Sequence, residues 1–192
     1  FIPNPVDSSI DDLKVYENKN PEFDLFFAMS HGVHRGVLKK GKFDERENIV
    51  NYLIKKNPHL KFNVFGMNNI QPVWGDEFKR NLFNSKIALN LSQGKPLRYY
   101  SSDRIAQLMG NGIATLIDRK TNLNKLFSEK EAIFYNSKED LNRKLNIMIK
   151  NYKKRSLLAK NGQQKYHKKF NSILVADYII SKTFNINKKF NW

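Results

Sequence analysis

Five short runs rich in β-branched and aromatic residues, each separated from the next by a segment of helical length, constrain this chain more than anything else in it. They are "DLFFAMS" (24–30), "LKFNVFG" (60–66), "KIALNLS" (86–92), "IATLID" (113–118) and "AIFYN" (132–136). Strands in sheets solvated on one face alternate apolar with polar residues. Apart from "LKFNVFG", these runs are mostly apolar, as strands covered on both faces must be. Regular alternation of such strands with helices predicts an α/β fold built on a parallel sheet with helices on both sides.

The intervening segments carry helical signals of their own. "DERENIVNYLIKKN" sets Ile49, Val50, Leu53 and Ile54 on one side and charges on the other, and Asp44, Glu45 and Glu47 favour the positive end of the helix dipole. The helix ends before Pro58. From Ser137 a second helix opens with a capping-box pattern, Ser137 and Asp140, and carries Leu141, Leu145, Met148, Ile149 and Tyr152 at helical spacing. After Gly162 a last helix runs from about Ser172 to Phe184 with Val175, Ala176, Ile179, Ile180 and Phe184 as its apolar stripe. "FIPNPVDSSIDD", with two prolines and an Asn-Pro step, reads as an extended connector. Beginning at Phe1 with no signal-peptide pattern, the chain reads as a piece of something longer.

At 192 residues and 40% apolar content the chain can bury a sizeable core, and a folded, soluble unit is expected. No apolar run nears the roughly 20 residues of a membrane span. Cysteine is absent, which excludes disulfides and thiolate metal sites and fits a cytoplasmic setting. The formal net charge of +16 is concentrated late, in "RKLNIMIKNYKKRSLLAKNGQQKYHKKF". A solvated lysine face backed by an apolar stripe accounts for it. Peripheral contact with the inner face of a membrane is the second setting such polybasic helices suit. Nucleic acid is disfavoured as a partner, because no arginine-aromatic recognition motif or zinc spacing accompanies the charge.

In an open parallel sheet, ligands bind beyond the carboxyl ends of the strands. Three loops there carry chemistry. The first, "SHGVHRGVLKKGKFDE", interleaves Gly32 and Gly36 with Arg35, Lys39 and Lys40, so backbone can approach a phosphate closely while cations neutralise it. It lacks the lysine-serine pair of a phosphate-binding loop and the spacing of a dinucleotide fingerprint, and a polar surface loop is the plain alternative. The second, "GMNNIQPVWGDEF", presents Trp74 between amides and glycines, suited to flank a base or sugar ring or else to plug the sheet edge. The third, "LRYYSSDRIAQLMGNG", brings Ser101, Ser102, Asp103 and Arg104 to the start of an apolar helix. There first-turn N–H groups and Arg104 suit a diphosphate, and Asp103, which repels phosphate, can accept from a ribose hydroxyl. A capped structural helix, with Arg104 bonding loop carbonyls, is the alternative.

Taken together, "IPNPVD", "FFAMSHGVHRGVLKKG", "ERENIVNYL", "FNVFG", "IALNLS", "DRIAQLMGNGIATLID" and "IFYNSKEDLNRKL" resemble the C-terminal, donor-binding half of GT-B glycosyltransferases, closest to the bacterial group-one, spore-maturation-like branch. The resemblance covers nearly the whole chain. It implies a Rossmann-like parallel sheet flanked by helices, with extra C-terminal helices. It divides the chain into an interdomain linker or entry segment (1–20), a nucleotide-sugar-binding domain (21–170), and a C-terminal helix and tail (171–192). Bacterial and animal α1,3-fucosyltransferases, another GT-B family, have an aromatic-hydroxyl-acid/base entry to a helix ending in glycine that is similar to "YYSSDRIAQLMGNGIATLI", and stand as a variant.

The resemblance implies binding of a nucleoside-diphosphate sugar, with an acceptor-binding N-terminal domain as the missing partner. Arg104 matches the arginine that begins this helix in the branch, and Arg35 with Lys39 or Lys40 matches where the family neutralises the leaving diphosphate. Retaining members place two glutamates eight apart here; Tyr99 and Gln107 occupy those positions when aligned by Gly112. No aspartate-any-aspartate metal motif is present, so metal-independent transfer without a cofactor is expected. His31 and His34 are the local alternatives to a general base from the missing domain. A non-catalytic nucleotide-binding module is the competing class.

Overall fold

The computed structural model describes residues 2–30 and 45–190. All five expected strands form: β1 (Phe23–Ala28), β2 (Phe62–Phe65), β3 (Ser85–Asn90), β4 (Ala114–Asp118) and β5 (Ile133–Tyr135). They lie parallel in the order β2-β1-β3-β4-β5. Among the described residues six α-helices accompany them: α1 (Glu45–Lys56), α2 (Gly75–Phe83), α3 (Asp103–Gly110), α4 (Lys138–Lys150), α5 (Tyr152–Lys169) and α6 (Ser172–Thr183). The chain runs outward from β1 to β2, then returns to build β3, β4 and β5 on the other side. The order therefore reverses between β1 and β3, the place where doubly wound sheets open a crevice.

The period of two along each strand sorts its side chains between two cores. Leu25, Phe27, Ile87, Leu89, Ala114 and Leu116 face α1 and α4, meeting Val50, Leu53, Leu141 and Leu145. Phe26, Ala28 and Ala88 face the opposite way, against Leu82 of α2 and Leu108 of α3. α5 gives Leu158 and Ala159 to the first core, while Tyr166 joins Ile105, Met109 and Phe134 in a third cluster on the α3 side. The helix thus passes from one face of the sheet to the other.

Several local expectations change on folding. Ser137 does cap α4, its Oγ accepting from Asp140 N–H at 3.2 Å, but Asp140 returns its carboxylate to Asn136 N–H at 3.1 Å and not to Ser137. Tyr152 begins α5 and is not the end of α4, because Asn151 breaks the helix and caps the next one by accepting from Lys154 N–H at 3.0 Å. Gly162 lies inside α5. A Cβ there would stand 2.4 Å from the Glu131 carbonyl oxygen, so the glycine marks a close approach of helix to backbone and not a helix end. On α1, Arg46 and Glu47 are buried alongside Val50 and Leu53, where charges were expected on the solvent side.

The apolar stripe of α6 also differs from expectation. Val175 is buried, whereas Ile179, Ile180 and Phe184 are exposed, as is Ile173 in the first turn. Periodicity identified an apolar face; among the described residues that face is left mostly uncovered.

The entry segment is extended up to Val6 but turns over residues 8–10, where Ile10 and Asp11 N–H donate to Asp7 O at 3.0 and 2.7 Å, and it is built into the domain. Val6 is fully buried, donates its N–H to Phe170 O at 3.0 Å and accepts from Ser172 N–H at 2.9 Å, an isolated parallel bridge at the junction of α5 and α6. Tyr166 OH donates to Asn4 O at 3.0 Å, and Asn4 Nδ2 donates to Ser101 O at 2.7 Å. Residues just ahead of α3 are thereby fastened to the first residues of the chain.

Candidate functional site

A cleft of about 550 Å³ opens at the carboxyl ends of the strands, between α2 and α3. Its inner end is formed by Ala28, Met29 and Ser30, where β1 runs out. One wall is the start of α2, with Trp74, Gly75, Asp76 and Lys79; the other is α3, with Ser102, Asp103, Arg104, Gln107 and Asn111. Ile10 and Asp11 of the entry segment close it from the side.

Sequence explains why both helices begin here. Gly75 takes φ +57°, a left-handed conformation that a side chain disfavours, and so turns the chain from the β2 loop into α2. Nothing lies within 4 Å of where its Cβ would be, so backbone stays open to the cleft. Ser102 occupies the N-cap position of α3 with extended backbone, but its side chain makes no capping bond. The hydroxyl turns instead toward Asn90 Oδ1, 3.4 Å away at the end of β3. Trp74, at the N-cap of α2, offers no side-chain cap either. Each first turn carries acid: Asp76 and Glu77 on α2, Asp103 on α3. Uncapped N–H groups and the positive dipole end of two helices therefore meet in one cleft.

Arg104 ties the strand ends together. Its Nε donates to Ala28 O at 2.7 Å and its Nη1 to Leu91 O at 2.6 Å, so one guanidinium spans the gap between the carboxyl ends of β1 and β3. The Phe27 ring lies 5.3 Å from its carbon centre. The plain alternative raised from sequence, bonding to loop carbonyls, is thus part of what Arg104 does, and its side of the cleft is the other part.

Of the residues singled out in advance, Trp74, Ser102, Asp103 and Arg104 come together on the cleft. Ser101 is set back, its Oγ 3.4 Å from Tyr166 OH and 3.3 Å from Asn4 N. Trp74 does not plug the sheet edge; it is 68% exposed. Gly32, Arg35, Gly36, Lys39 and Lys40, with His31 and His34, lie outside the described residues; in sequence they follow Ser30, which lines the cleft. Gln107 lines the cleft at a position flagged by comparison with paired glutamates, while Tyr99 takes φ +57° and donates its N–H to Thr121 O at 2.6 Å.

Sequence reasoning missed Asp11, Asp76 and Lys79. The last two follow Trp74 on the exposed side of a short helix, a signal that was available. Asp11 had none, since it sits in a segment read as a connector. Its Oδ1 accepts from Asn111 Nδ2 at 3.0 Å and its Oδ2 from Asp7 N–H at 3.1 Å. Burial pushes the Asp11 carboxyl above its ordinary range despite these bonds. Among the described residues no group of three or more His, Cys, Asp or Glu side chains is placed to hold a metal ion. No helix among them is long and apolar enough to cross a membrane.

Comparison with known proteins agrees with this architecture. A family model described as glycosyl transferase-like matches residues 45–181. No curated protein sequence matches the chain significantly. Among solved structures, sucrose-phosphate synthase from Thermosynechococcus elongatus is similar with a TM-score of 0.64 and 11% identity, over 96% of this chain and 52% of that one. HepE of Anabaena in complex with UDP is similar with a TM-score of 0.53 and 13% identity, over 74% of this chain and 38% of that one. The same protein with UDP and glucose gives 0.52 and 12% over the same shares. The chain thus spans about half the length of the first and less of the second. At such identities the likeness is one of fold, and it is the Rossmann-like fold expected from the resemblance to GT-B enzymes. With more than half of the chain matched by one family model, this protein belongs to the glycosyl transferase-like family.

Proposed function

We propose that this chain is the donor-binding half of a glycosyltransferase, which moves a sugar from a nucleoside diphosphate to an acceptor. The observation that carries the reading is a cleft at the β1/β3 reversal, between two helix N-termini, in a chain of the glycosyl transferase-like family. UDP, which HepE holds in its solved complex, is the first nucleotide to test.

Breaking the bond between sugar and diphosphate passes through an oxocarbenium-like state in which the leaving phosphate gains negative charge. Donors already oriented toward that charge lower the barrier without reorganising. In this reading the N-terminus of α3 supplies one set, and Arg35 with Lys39 or Lys40, which follow β1 in sequence, supplies the cations. Arg104 holds the two strand ends that frame the phosphate site. Trp74 flanks the base or sugar ring. The acceptor and its general base come from an N-terminal domain outside this chain, and transfer needs no metal, since the sequence offers no aspartate-any-aspartate motif.

Calorimetric titration with nucleoside diphosphates, UDP first, tests the reading against a single-stranded DNA control at raised salt. Phosphate-only binding to nucleic acid falls steeply with salt, whereas a nucleotide held in a cleft keeps most of its affinity. Binding of a diphosphate that persists at raised salt and in EDTA supports the donor-site reading. Retention of DNA alone at raised salt, with no nucleotide bound, overturns it.

A further inference from the structure

The cleft wall runs against the charge of the chain. Over a formal net charge of +16, the described lining carries three carboxylates, Asp11, Asp76 and Asp103, against two cations, Lys79 and Arg104. Both cations already face other groups. Lys79 Nζ lies 3.3 Å from Asp12 Oδ1, and Arg104 serves the carbonyls of Ala28 and Leu91. The oxygens of Asp11 are taken by Asn111 and Asp7. Asp76 and Asp103 differ: both are exposed and, among the described residues, neither carboxylate has a hydrogen-bond or ion-pair partner. The Gln107 side-chain amide and the broad face of Trp74 share the same lining.

Such a surface discriminates by charge. A carboxylate is an acceptor only, so it takes hydroxyl hydrogens in charge-assisted bonds and repels an anion. An amide gives and accepts, and an indole face packs against the apolar side of a ring. We infer that the two facing walls of the cleft, Trp74 and Asp76 at α2 and Asp103 and Gln107 on α3, hold the uncharged, hydroxyl-rich part of the donor between them, and that Asp76 and Asp103 reject donors whose sugar carries a carboxylate. This rests on the donor-site reading and adds the class of sugar to it. The diphosphate takes the first-turn N–H groups of α3 beside the end of β1, where the helix dipole offsets Asp103, and the sugar, which has no charge to be repelled, extends from it between the two carboxylates.

The test uses a pair of ligands that differ at a single carbon, UDP-glucose and UDP-glucuronate, with UDP as reference. Titrated into the wild-type protein, UDP-glucuronate binds about tenfold or more weakly than UDP-glucose, a difference of about 1.4 kcal/mol. The double variant Asp76→Asn, Asp103→Asn brings that ratio below about threefold, since the amides keep an acceptor and lose the charge. Both positions are exposed, and an unchanged thermal midpoint confirms that the variant folds. Equal binding of the two ligands by wild type, or a ratio that survives in the double variant, overturns the charge filter while leaving the donor site standing. Failure of UDP and other nucleoside diphosphates to bind removes the donor-site reading itself, and the filter with it.

Discussion

The guanidinium of Arg104, at the second residue of α3, donates its Nε to the carbonyl of Ala28, the last residue of β1, at 2.7 Å. A second bond from Nη1 to Leu91 O, at 2.6 Å, makes it a staple across the reversal of the sheet. Both carbonyls stand where a strand runs out, and one charged donor serves them both. Hydrogen bonds to charged groups are worth about 1.5–3 kcal/mol each, so Arg104→Ala is expected to lower the unfolding free energy by about 2–4 kcal/mol in denaturant titration. Arg104→Lys keeps the charge but not the fork, and recovers less than half of the loss. Loss of nucleotide affinity in Arg104→Ala then comes with loss of stability. Unchanged stability would mean that the staple contributes nothing.

Gly162 allows a prediction in which two effects oppose each other. In an exposed helix interior, replacing glycine by alanine gains about 0.8–1.0 kcal/mol. Here the new Cβ would stand 2.4 Å from the Glu131 carbonyl oxygen and 3.2 Å from Met109 Cε. The methionine can swing aside; the backbone oxygen leading into β5 cannot. Overpacking of this kind costs about 1–3 kcal/mol, so Gly162→Ala is expected to lower the thermal midpoint. A higher midpoint would show that α5 has room to shift outward.

Asp11 predicts a pH dependence. Burial raises its carboxyl above the ordinary 3.8, and the bonds from Asp7 and Asn111 offset this only in part. A raised acid binds its proton more tightly in the folded state. The stability it contributes is therefore full below the unfolded value and is lost as pH rises through the folded one. Asp11→Asn carries no such dependence. Thermal midpoints of wild type and variant, measured from about pH 3.5 to 6.5, should diverge in favour of the variant as pH rises. Divergence in the opposite direction would show that the bonds to the ionised form outweigh its burial.

Strands were legible because burial on both faces leaves continuous apolar runs, and β1 and β3 are buried nearly throughout. The start of α3 was legible for a related reason, since small polar residues mark where a helix begins even when, as with Ser102, the side chain does no capping. What could not be read is what each surface meets. Gly162 looks like punctuation in sequence, and only the approach of Glu131 explains it. Ile180 and Phe184 recur at helical spacing, yet spacing says that a face is apolar and not that this chain covers it. Val6 and Asp11 sit in a proline-marked stretch with no periodicity, so their burial follows from tertiary contact alone. Arg104 was found at the site from its position, but its carbonyl partners lie 76 and 13 residues away in sequence.

Trp74 gives the most direct test of the cleft. Its side chain is 68% exposed at the start of α2, it makes no capping bond, and it lines the same space as Ser102 and Arg104. A side chain so exposed adds little to folding, and Trp74→Ala should change stability by no more than about 0.5 kcal/mol. If the ring flanks a base or sugar, its removal costs binding instead. Stacking of a base on an aromatic side chain is worth about 1–3 kcal/mol by alanine substitution, so UDP affinity should fall roughly tenfold, with Trp74→Phe in between. The chain has two tryptophans, Trp74 and Trp192, so Trp192→Phe leaves one indole to report. In that background, saturating UDP should shift or quench the emission of Trp74 at a concentration matching the calorimetric affinity. Calorimetric UDP binding with no change in that emission, and with full affinity in Trp74→Ala, would remove Trp74 from the donor site and leave the acidic wall without its ring platform.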